Sequence, residues 1–245
     1  MKLKIVFLGK ERFGNIVLQE LSRTGYGPVS RRFEDIKNVG PDLVIVANFG
    51  KIIPENLLKI PRYGCLNVHP SLLPKYRGPT PIQSAILNGD KETGVSIILM
   101  DERIDHGPLL AQEKTTISPQ ETASQLCDRL ALSGAKLLAD VIPGWVRGEK
   151  QLAPQDEEKA SYSKILTRKD GEIDWKKPAQ EIERQVRAFQ PWPGAHTFHE
   201  GKRIKILKVG LEKDKLIIKQ VQPEGKKPMS FKDFLLGHRN FKIPC

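Results

Sequence analysis

The sequence predicts an α/β fold, a mostly parallel sheet followed by a smaller β unit, on three observations. Lys4 to Leu8 is an apolar run that stops at Gly9 and passes directly into a helical pattern, as a β–α unit does. Leu43 to Ala47 reads Leu-Val-Ile-Val-Ala, continuous rather than alternating, as a strand covered on both faces of a parallel sheet must be. The last third instead alternates apolar and polar residues in short runs between turn residues, the pattern of antiparallel strands.

After Gly9, apolar residues Phe13, Ile16, Val17, Leu18 and Leu21 recur at helical spacing to about Thr24, and Gly25 ends the helix. Gly9 and Gly14 do not complete Gly-x-Gly-x-x-Gly, so no dinucleotide site is predicted there. Val29 to Phe33 is expected as a second strand carrying Arg31 and Arg32. Residues 48–54, Asn-Phe-Gly-Lys-Ile-Ile-Pro, leave the carboxyl end of the buried 43–47 strand, where open α/β sheets place ligands. Thr80 to Asn88 is a predicted helix ended by Asn88-Gly89, Val95 to Met100 a strand, and Pro108 to Gln112 the strand leaving an acidic loop. Apolar residues at 126, 130, 137, 138 and 141 make Thr122 to about Val141 an amphipathic helix.

Residues 148–160 are polar and aperiodic and read as a linker between a domain at 1–147 and a second at 161–245. In the second, a helix from Pro178, a favoured first-turn residue, to Phe189 is stopped by Pro191-Trp192-Pro193-Gly194. Strands over Ala195–His199, Arg203–Val209 and Leu216–Val221 follow, with a Glu200-Gly201 turn and a short terminal helix.

At 245 residues and 39% hydrophobic content the chain can bury a real core. Its net charge of +11 points to a polyanionic partner, and residues 161–245 hold 19 Lys and Arg against 10 Asp and Glu, most of the excess. Cys65, Cys127 and Cys245 neither pair by spacing nor approach Cys-x-x-Cys, so neither a disulfide framework nor a metal site is expected. The N-terminal apolar run is too short for a signal segment, and no run approaches the ~18 apolar residues of a membrane span. A reduced, cytoplasmic setting follows.

Residues 64–81, Gly-Cys-Leu-Asn-Val-His-Pro-Ser-Leu-Leu-Pro-Lys-Tyr-Arg-Gly-Pro-Thr-Pro, carry the chemistry. Asn67 and His69 are two residues apart in an extended start, so their side chains share a face. Prolines at 70, 74, 79 and 81 and Gly78 then force a fixed loop. The Asn67 amide can donate to an oxygen gaining negative charge, and an imidazole can exchange a proton near neutral pH. Asp101, Glu102 and Asp105, in the acidic loop after the 95–100 strand, are candidates for the third group that orients the imidazole.

Asn-Val-His-Pro-Ser-Leu-Leu-Pro-Lys-Tyr-Arg-Gly, with Asn-Gly-Asp-x-Glu-Thr-Gly-Val at 88–95 and Ile-Asp-His-Gly at 104–107, resembles the catalytic core of the formyltransferases that use 10-formyltetrahydrofolate. The resemblance implies a Rossmann-like domain, 10-formyltetrahydrofolate as formyl-donor co-substrate and no metal. It places the family's catalytic Asn, His and Asp on Asn67, His69 and Asp105. Its pterin-lining loops fall on Phe49, Gly50, Ile52 and Pro54 and on Leu99, Met100 and Ile104.

Ile-Asp-Trp at 173–175, Arg-Ala-Phe-x-Pro-Trp-Pro at 187–193 and Gly-Lys-Lys-x-Met-Ser at 225–230 are similar to the C-terminal domain of the methionyl-tRNA formyltransferases, a small β-barrel of the oligonucleotide-binding type, here shortened between Lys208 and Gln222. The implied acceptor is the amino group of initiator methionyl-tRNA, in translation initiation, and the implied enzyme a cytoplasmic monomer. Arg31, Arg32, Arg77, Arg203, Lys205, Lys226 and Lys227 are the expected tRNA contacts. Only Arg31-Arg32 stands where that family carries a longer basic loop. A formyltransferase acting on a nucleotide-sugar or purine-precursor amine, and a non-catalytic nucleic-acid-binding relative, remain as alternatives.

Overall fold

The computed structural model describes residues 3–241; Cys245 lies outside them. The chain runs β1 (Ile5–Gly9), α1 (Glu11–Arg23), β2 (Val29–Ser30), α2 (Ile36–Val39), β3 (Leu43–Ala47), α3 (Glu55–Leu58), β4 (Cys65–His69), α4 (Pro81–Leu87), β5 (Glu92–Leu99), β6 (Leu109–Thr116), α5 (Ala123–Val146), α6 (Ala179–Ala188), β7 (His196–His199), β8 (Lys202–Glu212), β9 (Lys215–Pro223), β10 (Met229–Ser230) and α7 (Phe231–Gly237). By internal packing, residues up to 81 with 91–117 and 125–164 form one compact unit, and residues 82–90, 118–124 and 165 onward form a second.

The first unit is built on a six-stranded sheet in the order β2-β1-β3-β4-β5-β6. The pairs from β2 to β4 are parallel and the two involving β5 are antiparallel. Every residue of β3 and β4 is buried, which is why β3 is written without alternation, while β4 alternates Asn67 and His69 with Leu66 and Val68. Helices α1 and α5 belong to one side: Gly134 of α5 comes so close that a Cβ there would stand 2.6 Å from Val68 of β4. On the other side, Ile36, Ile53 and Leu58 close a core over Val6, Leu8, Val44, Val46 and Cys65. Since Val44 pairs with Cys65 and Val46 with Asn67, the side chains of Asn67 and His69 rise on this second side, away from α5.

Several boundaries differ from the sequence expectation, each for a physical reason. β2 is two residues long, because after the Arg31 N–H donates to Phe7 O, the Arg32 N–H bonds the Asp35 carboxylate at 3.3 Å and the chain turns into α2. β6 continues through polar residues to Thr116 as the edge of the sheet, where its outer flank tolerates charge. α5 runs past Pro143 to Val146. A proline supplies no N–H for the carbonyl four residues back, and Tyr26 does so instead, its hydroxyl donating to Ala139 O at 3.2 Å.

Residues 148–160, expected as a linker, belong to the first unit, as do 161–164, expected in the second. Ala153 and Leu109 exchange both backbone hydrogen bonds at 2.7 and 2.9 Å. Ser161 O accepts from Arg77 N–H, and Ser163 N–H donates to Arg77 O, so this segment lies as an extended strap along the proline-rich loop.

The second unit is an antiparallel sheet in the order β10-β9-β8-β7, with α6 and α7 against it. Ile204, Ile206, Ile218 and Val221 of the sheet, Ile182 and Val186 of α6 and Phe234 of α7 form its core. β8 extends to Glu212, beyond the expected Val209, and β9 begins at Lys215. The two-residue turn between them, Lys213-Asp214, has φ of 47° and 62°, the left-handed pair of a type I′ hairpin. Asp214 is the one residue of that pair with a known tolerance for this geometry, so the turn was easily missed.

Candidate active site

β4 carries Asn67 at its centre and His69 at its end, 8% and 4% exposed. β5 is antiparallel to β4 and ends beside its start, the Met100 N–H donating to Cys65 O at 2.8 Å. The loop after β5 therefore doubles back along β4, and this brings Asp105 over the two side chains. Asn67 Nδ2 donates to Asp105 Oδ1 at 3.0 Å, and the Gly78 N–H donates to Oδ2 at 2.8 Å. His69 Nδ1 stands 3.5 Å from the same Oδ2. His69 Nε2 lies 3.0 Å from Tyr76 O, and because a carbonyl only accepts, Nε2 carries the proton. Nδ1 is then the position at which this imidazole takes up or releases one.

Glycines shape the loops that make this possible. Gly78 has φ of 103° and presents its N–H to Asp105 beneath Ser163, whose carbonyl would be 3.0 Å from any Cβ. At Gly107 a Cβ would stand 1.9 Å from Leu99 O, so only glycine lets the loop return against β5. Asp105 itself has φ of 48°, left-handed backbone that aspartate tolerates better than most side chains do.

The proline-rich loop is pinned from below by groups the sequence reading did not single out. Ser96, opposite His69 in the ladder and fully buried, donates to Ser71 O at 2.6 Å and accepts from Leu73 N–H at 3.0 Å. Gln112 donates to Leu73 O and to Ser96 Oγ, both at 2.8 Å. A lone serine inside the apolar run Val-Ser-Ile-Ile-Leu was a readable signal, since a buried hydroxyl needs partners.

Arg77, expected among the tRNA contacts, is a correction: its side chain is fully buried. All five of its N–H groups are used, two on the Glu157 carboxylate at 2.6 and 3.1 Å, two on Gln155 Oε1 at 2.8 and 3.1 Å and one on the Tyr162 hydroxyl at 3.3 Å. It has nothing left for a phosphate. The Glu157 hydrogen bond raises the arginine's pKa, and the guanidinium in turn holds Glu157 below the usual carboxylate range.

Among the residues expected to line a pterin slot, Phe49 and Met100 pack against the Val44–Cys65 core, and Phe49 meets Phe33 edge-on at 5.9 Å. Ile52 and Ile104 are 70% and 55% exposed, unusual for isoleucine, and Gly50 and Pro54 are also exposed. Leu99 is half-buried beside Gly64. These loops thus carry exposed apolar side chains at Ile52 and Ile104.

Among the described residues no group of three His, Cys, Asp or Glu side chains could hold a metal ion, and no helix is long and apolar enough to cross a membrane. Cys65 and Cys127 are free thiols, pushed by burial up to about 12 and about 11.

In the second unit, Arg203 lines a shallow concavity of about 460 Å³ with Arg168, Lys169, Glu172, His196, Phe198 and Glu224. Lys226 and Lys227 are exposed in the turn before β10, and Lys205 is half-buried on β8. Arg31 and Arg32 are exposed at the end of β2 in the first unit.

Residues 6–142 match the family described as Formyl transferase, and residues 165–216 the family described as Formyl transferase, C-terminal domain. The methionyl-tRNA formyltransferase of Caldanaerobacter subterraneus subsp. tengcongensis is 39% identical over 84% of this chain and 74% of its own. The fold of a methionyl-tRNA formyltransferase from Clostridium thermocellum superposes with a TM-score of 0.72 at 19% identity, covering 90% of this chain and 98% of that one. HypX from Aquifex aeolicus, solved in complex with tetrahydrofolic acid, superposes with a TM-score of 0.77 at 19% identity, over 96% of this chain; the chain spans 47% of HypX, about half. With its N-terminal match covering more than half its length and a relative 39% identical across 74% of that relative, the chain belongs to the formyl transferase family.

Proposed function

We propose that the protein transfers a formyl group from N10 of 10-formyltetrahydrofolate to the α-amino group of methionine esterified to initiator tRNA, as a cytoplasmic monomer. The observation that carries this reading is the convergence of the Asn67 amide, the His69 imidazole and the Gly78 N–H on the Asp105 carboxylate. The 39% identity to a methionyl-tRNA formyltransferase and the basic second unit support the acceptor.

In the reaction a bond forms between the amine nitrogen and the formyl carbon, the bond from that carbon to N10 breaks, and one proton passes from the amine to N10. Asn67 has two N–H bonds, and with one held by Asp105 the second is available to the oxyanion of the tetrahedral intermediate. His69 Nδ1 and the Asp105 carboxylate, 3.5 Å apart, accept the amine proton and return it to the leaving nitrogen. The contacts of buried Ser96 and of Gln112 hold the proline-rich loop, and with it Gly78, in place while this happens. Ile52, Ile104 and Phe49 would cover the faces of the pterin, with loop backbone reading its edge. Arg203, Lys205, Lys226 and Lys227, with Arg31 and Arg32, are the proposed phosphate contacts.

A formylation assay with 10-formyltetrahydrofolate separates this from the alternatives. Charged initiator tRNA is expected to be formylated at least about 10³-fold faster, per kcat/KM, than a nucleotide-linked amino sugar or a small purine-precursor amine. Preference for either small amine would move the protein to the other branch of the family, and no turnover with any acceptor would leave a binding protein.

A further inference from the structure

We infer that Gln155, with Arg77 behind it, is the positioning group that holds Asp105 in its working conformation; the inference rests on Asp105 acting in formyl transfer. Asp105 sits at φ of 48°, left-handed backbone that aspartate tolerates but that is only one of the conformations open to it in an unsupported loop. Its carboxylate is held by Asn67 and Gly78, but those bonds fix the side chain and not the main chain. Gln155 supplies the rest. Its Nε2 donates to Asp105 O at 2.9 Å and to Gly107 O at 2.7 Å, spanning the loop on both sides of His106.

The amide cannot turn over to lose this grip. Its Oε1 accepts two N–H groups of Arg77, so a flipped amide would set N–H against N–H on one side and oxygen against two carbonyls on the other. Arg77 cannot rotate either, because Glu157 and Tyr162 take its remaining N–H groups. Its main chain is paired with Ser161 and Ser163, and the next peptide N–H along, Gly78, is the one that binds Asp105 Oδ2. One guanidinium thus ties together both supports of the aspartate, one through its backbone neighbour and one through Gln155. Gln155 lies in a stretch whose composition reads as linker, and Arg77 in a motif whose charge reads as a phosphate contact, so neither role is visible in the sequence.

The test is Gln155→Glu in the full chain, which keeps an oxygen facing Arg77 but sets a second oxygen against the carbonyls of Asp105 and Gly107. Turnover with 10-formyltetrahydrofolate and charged initiator tRNA should fall about 10- to 100-fold in kcat, with each KM changed less than about twofold, as expected for a displaced reacting group. In an Asp105→Asn background the same substitution should cost less than about twofold, because the group it positions is already gone. Equal losses in the two backgrounds, a loss confined to KM, or no loss at all would overturn the inference while leaving the role of Asp105 standing. Full turnover by Asp105→Asn alone would overturn the functional reading and the inference with it. Should Gln155→Glu fail to fold, as judged by thermal unfolding, Arg77→Lys replaces it: the lysine keeps a charge for Glu157 but cannot clamp Oε1, and the same non-additivity is expected with about a three- to tenfold loss in kcat.

Discussion

The polar groups around Asp105 in the first unit and the basic strand of the second are treated in opposite ways. In the first, Arg77 is fully buried with five partnered N–H groups, Ser96 is fully buried with three hydrogen bonds, and Asp105 is held at both carboxylate oxygens. In the second, β8 buries Ile204 and Ile206 and turns Arg203, Lys205 and Lys208 toward water to varying degrees. The contrast is what the proposed function asks of each unit. Proton transfer and oxyanion stabilisation need groups held to fractions of an ångström, which buried, fully satisfied polar contacts supply. A phosphate backbone is attracted by charge over several ångströms and asks for little geometry.

Breaking the first unit's geometry should cost most. Gly107→Ala would set a Cβ 1.9 Å from Leu99 O, forcing the loop outward. A fall in kcat of about 10²-fold is expected, with tRNA affinity unchanged in a filter-binding titration. Loss of tRNA affinity instead would erase the distinction between the two units. Next in size, Arg77→Ala leaves Glu157, Gln155 and Tyr162 without their shared donor and should lower stability by about 2–4 kcal/mol in denaturant unfolding.

The second unit should respond to charge alone. Replacing Arg203 and Lys205 together by alanine is expected to weaken tRNA binding roughly tenfold and to flatten the slope of log K against log salt by about one to two, with kcat kept. Binding that does not depend on salt would remove the electrostatic reading. The smallest effect belongs to Glu157, whose pKa Arg77 lowers. A lowered folded pKa means the pair's contribution is complete above the ordinary glutamate value and fades as pH falls through the lowered one. The difference in Tm between the unsubstituted protein and Glu157→Gln should therefore shrink as pH falls below about 5.

How much of this was legible depended on whether a residue acts through its own segment or through a distant one. β3 could be read from five consecutive apolar residues, and the shared side of Asn67 and His69 from their spacing, because both are properties of one strand. Asp105 was marked by resemblance; its contact with Asn67, 38 residues away, depends on a loop that doubles back along an antiparallel neighbour, which periodicity does not encode. Gln155 and Glu157 looked like linker because their partner, Arg77, is 78 and 80 residues away. Arg77 looked like surface for the complementary reason. The helix past Pro143 and the Lys213-Asp214 turn were hidden by local rules that a tertiary partner, the Tyr26 hydroxyl, and an unaided left-handed pair override.

The proposed action of Asn67, His69 and Asp105 on one formyl carbon is tested most directly by single-turnover formyl transfer from saturating 10-formyltetrahydrofolate to charged initiator tRNA, with Asn67→Ala and His69→Ala beside the unsubstituted protein and folate binding measured separately. The predicted result is a chemical step slowed about 10²–10³-fold in each variant with folate still bound. An unchanged single-turnover rate in either variant, with both substrates bound, would contradict it.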